Sequence, residues 1–561
     1  MKPYIKTLML SGVLAGMAAC TDLDTDIVTE YTQFPDNPIA TEGEFNGCYY
    51  YHRNEAWFGR NFWEGVFLSG DEAVGIQLAG IYFESGRYYT ASVHDFNPDR
   101  PSSGLLNDMM SGCTYTNQRI LAYGGPEGTD PVVAPLRAIR AFYHFWMMEL
   151  YGDVPILDHM FAEDELIDRQ PRAKVAEFIE KELIEILEQG NLSDANDAST
   201  YGKPNRWMAE ALLVKLYLNW GVYTNPITTV DYDTPNEKLD ECVKWCDDII
   251  NNGPFELGSG YRKKFFPDNG VHIKDFIYAV PFDPYTIGVG YWGAHQMARF
   301  WGYRKDTYCK PYLWGWKPTT TKAGVYILTP ECVDRFTLAG DERNGIIAVG
   351  PQKAYDSSFN RTDEDVMVYS RTNFRGEPIG PLDFKKEFEW ADIKGFDVGD
   401  ESLETCMYGA RCNKYPPIES DETHADYTWQ GNDIPVFRFA DILLTKAECI
   451  LRGARATEGH TTEGLINMVR DCASAPHVNL AAEGGDMKQV LLDERSREFI
   501  LEPWRRNDLI RFGKFENCAK WKVDSDKANG RNCMSDKNKR LFPIPTGDLT
   551  TNTNWRQNDS Y

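Results

Sequence analysis

Pro204-Asn-Arg-Trp-Met-Ala-Glu-Ala-Leu-Leu-Val-Lys-Leu-Tyr-Leu-Asn-Trp-Gly221 carries apolar residues on nearly every side of a helix. Pro204 suits a first helical position and Gly221 a helix end. Trp207, Met208, Ala211, Leu212, Val214, Leu216, Tyr217 and Leu218 leave so little polar face that the helix must be buried on most sides. The next stretch reads differently. Leu239, Cys242, Val243, Cys246, Ile249 and Ile250 recur at helical spacing among Glu237, Lys238, Asp240, Glu241, Lys244, Asp247 and Asp248. That pattern predicts one core stripe and one wet face, stopped by Gly253-Pro254. A buried helix followed by an amphipathic one is the unit of a helical repeat array.

The pattern extends outward on both sides. From Pro135, a long aromatic helix (Leu136, Ile139, Phe142, Tyr143, Phe145, Trp146, Leu150) runs into the turn Tyr151-Gly-Asp-Val-Pro155. Residues 172–190 follow as an amphipathic helix with Val175, Phe178, Ile179, Leu183, Ile186 and Leu187 on its stripe. Between about 258 and 435 the periodicity collapses into Gly, Pro and aromatics, with short strand-like runs at Phe276–Val280 and Val366–Tyr369. Helices return over Phe437–Leu451, Leu465–Cys472 and Val490–Phe499. The expected fold is mostly α: tetratricopeptide-like helical hairpins packed against a large irregular, loop-rich part with short strands. The scaffold covers about 35–257 and 436–515, the irregular insertion 258–435 and a tail 516–561, all within one body from 35 to 561.

With 59 basic and 84 acidic residues the chain carries a net charge of −25, which argues against nucleic acid, an anionic membrane face or polyanionic ligands. No glycine-rich phosphate loop, His-Glu-x-x-His or nucleophile elbow occurs in context. A surface glycosidase would need two carboxylates about 5–10 Å apart, and among 84 acids such a pair can always be nominated, so it decides nothing. The charged block Glu494–Arg511 alternates in sign and reads as a network locking the C-terminal helices onto the repeats.

At the N-terminus, Lys2 and Lys6 precede an apolar run, Leu8–Met17, that is too short to span a bilayer. It ends in Met17-Ala-Ala-Cys20, which resembles the lipobox of bacterial lipoproteins. The expectation is a signal peptide over 1–19 and a lipid on Cys20, followed by a flexible anchor over 20–34. The other twelve cysteines do not cluster as zinc pairs, so no metal or cofactor is expected. Cys242 and Cys246 read as buried thiols, and the even count leaves disulfides open.

Three blocks resemble the SusD/RagB family of outer-membrane nutrient-uptake lipoproteins of Bacteroidota. They are Tyr143-His-Phe-Trp-Met-Met-Glu-Leu-Tyr-Gly-Asp-Val-Pro155, Phe437–Leu451 with its Arg-Phe-Ala-Asp and Lys-Ala-Glu, and Glu494–Arg511 joined to Leu541-Phe-Pro-Ile-Pro545 and Gln557-Asn558. The resemblance implies four tetratricopeptide-like hairpins and no catalysis. It also implies a role as a lid on a SusC-like TonB-dependent transporter, capturing oligosaccharide or, in the RagB branch, peptide. Asp22, Asp24 and Asp26 beside Cys20 resemble the signal that sends such lipoproteins to the outer face of the outer membrane.

Sugar rings stack their apolar faces on aromatic rings while polar side chains hold the hydroxyls. Glycines alternate with rings over Tyr285–Trp316, so candidate platforms are Trp292, Trp301, Tyr303, Trp314 and Trp316, with Asp71 and Arg371 for hydroxyls. A satellite core under a long loop explains many of the same rings. If each platform removes roughly 60 Å² of apolar surface, it contributes about 1.5 kcal/mol, and three give a dissociation constant near millimolar before hydrogen bonds are added.

Overall fold

Asn205, rather than Pro204, opens the central helix. Its side-chain oxygen accepts the Met208 N–H at 2.9 Å and caps Arg206–Leu218. The computed structural model describes residues 37–53, 57–58, 61–75, 86–99, 104–125, 127–162, 165–283, 309–311, 313, 326–356, 358–369, 376–389, 407–416 and 431–561. The chain divides after Gly47, inside the stretch that the sequence suggests is one body. In the first unit the described residues 37–47 are helical from Pro38. In the second the longer helices are α1 (Asn61–Ser69), α2 (Leu105–Tyr123), α3 (Ala134–Tyr151), α4 (Arg172–Glu188), α5 (Arg206–Leu218) and α6 (Leu239–Asn252). After the irregular region come α7 (Phe439–Leu451), α8 (Thr462–Cys472), α9 (Met487–Phe499) and α10 (Arg505–Arg511).

The repeat follows from which helices lack a polar face. In α3 every residue except Pro135 is buried, in α5 everything from Trp207 on, and in α7 everything from Phe439 to Cys449. Their partners α4, α6 and α8 each bury one stripe: Val175, Ile179, Leu183 and Ile186 in α4, and Cys242, Val243, Cys246 and Ile249 in α6. Phe178 and Leu187 sit at the edge of the α4 stripe rather than in it. Each inner helix packs on the outer helix that follows it, and inner helices pack on one another. The mostly α, tetratricopeptide-like architecture is thus present.

The second and third hairpins are separated in sequence by residues 253–438, yet α6 packs directly on α7. Cys242 and Cys246 of α6 lie against Cys449 of α7, and burial pushes the Cys242 and Cys246 thiols up. The described cysteines are free thiols and form no disulfide among themselves.

An antiparallel ladder ties the insertion in at its two ends. Phe276–Val280 pairs with Ile434–Arg438, with Val280 opposite Ile434. Phe437 and Arg438 therefore belong to this strand, and the helix expected from Phe437 begins at Phe439. Arg438 stays extended because its guanidinium is drawn to buried carboxylates. The strand expected at Val366–Tyr369 is the short pair Met367–Val368, between Cys309–Lys310 and Gly380–Pro381. Leu313, Val366, Val368, Leu382 and Phe384 form a small satellite core there.

The Glu494–Arg511 block is buried and most of its charges are paired. Arg495 binds Asp508 and Asp441; Arg511 binds Glu448 and Asp508; Glu494 takes Arg343, Arg470 and Arg497. The ions thus link α7, α9 and α10 to one another and, through Arg343, to the insertion. The tail closes onto α3: Phe542 N–H donates to the Leu150 carbonyl at 2.8 Å, and Asn558 Nδ2 to that of Tyr151 at 2.9 Å. Among the described residues no helix is long and apolar enough to cross a membrane.

Candidate functional site

The end of the ladder builds a cleft. Where Ile434 faces Val280, the preceding Asp433 meets Phe282, whose N–H donates to Asp433 Oδ1 at 2.8 Å. Tyr201 reaches the same carboxyl from the 197–203 turn, its hydroxyl donating to Oδ2 at 2.7 Å. Gly202 sets that turn. Its φ is +69°, and a Cβ there would meet Pro281 Cγ at 2.7 Å, so only glycine brings Tyr201 this close. Asn269 locks the floor, accepting from Asp433 N–H at 2.7 Å and donating to its carbonyl at 3.1 Å.

The cleft has a volume of about 720 Å³, and Tyr50, Tyr201, Pro281 and Phe282 face it beside Asp433 and Asp283. That size lies within the usual range of about 300–1,000 Å³ for small-molecule sites. Tyr50 and Tyr201 are half-buried, so ring surface remains accessible. Arg53 lies 4.1 Å from the Tyr50 ring centroid and donates to the Pro281 carbonyl at 3.1 Å, fixing that wall. Burial pushes the Asp433 carboxyl up to about 7, against the opposing pull of the Phe282 N–H, the Tyr201 hydroxyl and Arg53. Near neutral pH it is poised between donor and acceptor, beside aromatic surface. Among the described residues no cluster of His, Cys, Asp and Glu is arranged to hold a metal ion.

Of the residues expected from sequence, Trp292, Trp301, Tyr303, Trp314, Trp316 and Arg371 lie outside the described residues. Asp71 is inside them and does not face a ligand. It is 3% exposed; Arg505 donates to both its oxygens at 2.7 Å, and Arg335 adds a further bond. Burial alone would raise its carboxyl, but Arg335 and Arg505 hold it well below the usual carboxylate range. The segment around it is covered because Ala73–Gly75 pairs with Tyr326–Leu328, and Thr329 Oγ1 donates to the Asp71 carbonyl at 2.6 Å. Conversely, sequence reasoning passed over Tyr201, Asn269, Phe282 and Asp433. They are far apart in the chain, and only the Gly202 turn beside Tyr201 offered a local signal.

Residues 294–561 match the profile described as the SusD family. The starch-binding protein SusD of Bacteroides thetaiotaomicron is 26% identical over 463 residues, covering 76% of this chain and 72% of that one. Over that C-terminal part, and more weakly over most of its length, the chain is similar to the SusD family. Among solved structures, surface glycan-binding protein A from Bacteroides fluxus matches with a TM-score of 0.67 at 18% identity, covering 94% of this chain and all of that one. Surface glycan-binding protein A from Bacteroides thetaiotaomicron, solved with laminarihexaose, matches at 0.63 and 17%, covering 93% and 99%. These relatives are named for binding starch or glycan.

Proposed function

We propose that this chain is a cell-surface lipoprotein of the SusD family that captures neutral oligosaccharide and delivers it to a SusC-like TonB-dependent transporter. The observation that carries the ligand class is the cleft at the ladder end, where Tyr50 and Tyr201 rings flank the Asp433 carboxyl. Stacking surface beside fixed polar groups suits sugar, and the net charge of −25 disfavours acidic ligands. Relatives named for starch and glycan support the same class. In the chain, Asp283 leads directly into the segment bearing Trp292, Trp301 and Tyr303, which we assign to the same site together with Trp314, Trp316 and Arg371. Asp71 is left out, because its oxygens are taken by arginines. Cys20 carries the lipid in this reading, and the anchor faces outside on the outer membrane.

Calorimetry with laminarihexaose and maltohexaose tests the reading. Binding in the micromolar to millimolar range is expected, and Tyr201→Ala or Trp292→Ala each weakens it about tenfold, the loss of one stacking ring. No heat with either sugar or across a neutral glycan panel would overturn it.

A further inference from the structure

The outer helices carry a second groove, of about 750 Å³, lined by none of the residues of the ladder-end cleft. It lies where residues 186–194 meet the start of α5 and the outward side of α6. Trp245 stands on α6 between the core positions Val243 and Cys246, off the buried stripe, and remains partly exposed. Trp57, Trp63, Trp146 and Trp504 each pack on other rings. Trp245 does not do so among the described residues; its neighbour is the Lys244 ammonium, 5.2 Å from the ring centroid. A large ring placed on the wet face of an amphipathic helix has no core reason to be there.

The polar side of the groove is built rather than incidental. Arg206 Nε donates to Glu210 Oε1 at 2.6 Å, and its Nη2 donates to Asp248, so one guanidinium holds both carboxyls in place. Burial pushes Glu210 up to about 8, Arg206 pulling it down and neighbouring Asp248 adding to the rise. Glu210 is wholly buried beneath the groove and shares its proton with Asp248, so what the groove is shown is the Asp248 carboxylate and the Arg206 guanidinium. Asn251, exposed on the next turn of α6, adds an amide. Fixed donors and acceptors with more carboxylates than cations, next to a partly exposed ring, fit alternating hydroxyls and apolar C–H patches and disfavour phosphate.

We propose that this groove is a second binding site for a neutral saccharide, stacked on Trp245 and held by Asp248 and Asn251, with buried Glu210 and Arg206 fixing Asp248. It takes its ligand class from the function proposed above, but uses different residues. The test is fluorine resonance on protein labelled with 5-fluorotryptophan, with the Trp245 signal assigned from Trp245→Phe, while laminarihexaose and then maltohexaose is added. The Trp245 signal should move saturably with one of them. Asn251→Ala, an exposed change that spares the fold, should raise the dissociation constant read from that signal roughly three- to tenfold, the worth of one hydrogen bond. A Trp245 signal that stays still while other tryptophans respond would overturn the groove and leave the first site standing. A dissociation constant unchanged by Asn251→Ala would also overturn the groove as built. If no tryptophan responds to either sugar and calorimetry is silent, both proposals fall; if Trp245 alone responds, the groove stands and the first site falls.

Discussion

Arg438 and Glu498 meet twice. Nη1 donates to the carboxylate Oε1 at 2.7 Å, and Nη2 to the main-chain carbonyl at 2.9 Å. Arg438 ends the insertion's strand and precedes α7, while Glu498 lies in the last turn of α9. Asp275 and Glu502 complete the shell around the same guanidinium. A single side chain therefore ties the ladder, the repeats and the C-terminal helices together.

Removing that guanidinium leaves Asp275, Glu498 and Glu502 buried without it. Arg438→Met should cost about 3–5 kcal/mol, the usual penalty for breaking a buried ion pair from one side. Urea unfolding followed by circular dichroism gives the number; a loss under about 1 kcal/mol would show that water or Lys414 replaces the arginine.

Acid should unfold the protein through the same network. Burial pushes Asp275 upward, but Lys264 and Arg438 hold it at about 2; Glu448 is likewise held at about 2 by Arg511 and Arg452. Carboxyls depressed in the fold contribute stability above their unfolded values, near 4, and lose it as pH falls towards 2. Melting temperature measured from pH 5 down to pH 2 should drop steeply, and Asp275→Asn should start lower and fall less.

Asp433 acts in the opposite sense. Its carboxyl is raised to about 7, so the folded state holds a proton that the unfolded chain releases near pH 4. Its contribution is full below pH 4 and is lost as pH rises to 7. Glu72 and Glu210, both pushed up to about 8 chiefly by burial, extend the same trend. Asp433→Asn should shrink the fall in melting temperature between pH 5 and pH 8 without abolishing it. An unchanged fall would mean that Asp433 ionises freely in the cleft.

Cys20→Ala should abolish labelling by a fatty-acid probe in cells making the protein. In cells making the unmutated chain, added protease should digest it without opening the outer membrane. Label on the mutant, or full protection of the unmutated chain, would count against an outward-facing anchor at Cys20.

The repeats were legible because helical burial is written at a period of 3.6 residues. α5 lacks a polar face and α6 has one, so inner and outer roles followed from local pattern alone. Alternating charges over Glu494–Arg511 likewise announced a network, since so many opposite charges in one short segment satisfy one another best when folded together. What sequence could not carry was any relation between distant residues. That α6 docks on α7 across residues 253–438 depends on tertiary packing, and so does the meeting of Tyr201 with Asp433. Asp71 shows the limit most plainly. An acid after Ser-Gly looks solvent-bound until Arg505, 434 residues later, is placed against it. Local periodicity determined the helices and their order of burial. Long-range electrostatics and strand pairing, which no window of sequence contains, decided which polar groups were consumed by the fold and which were left facing a cleft.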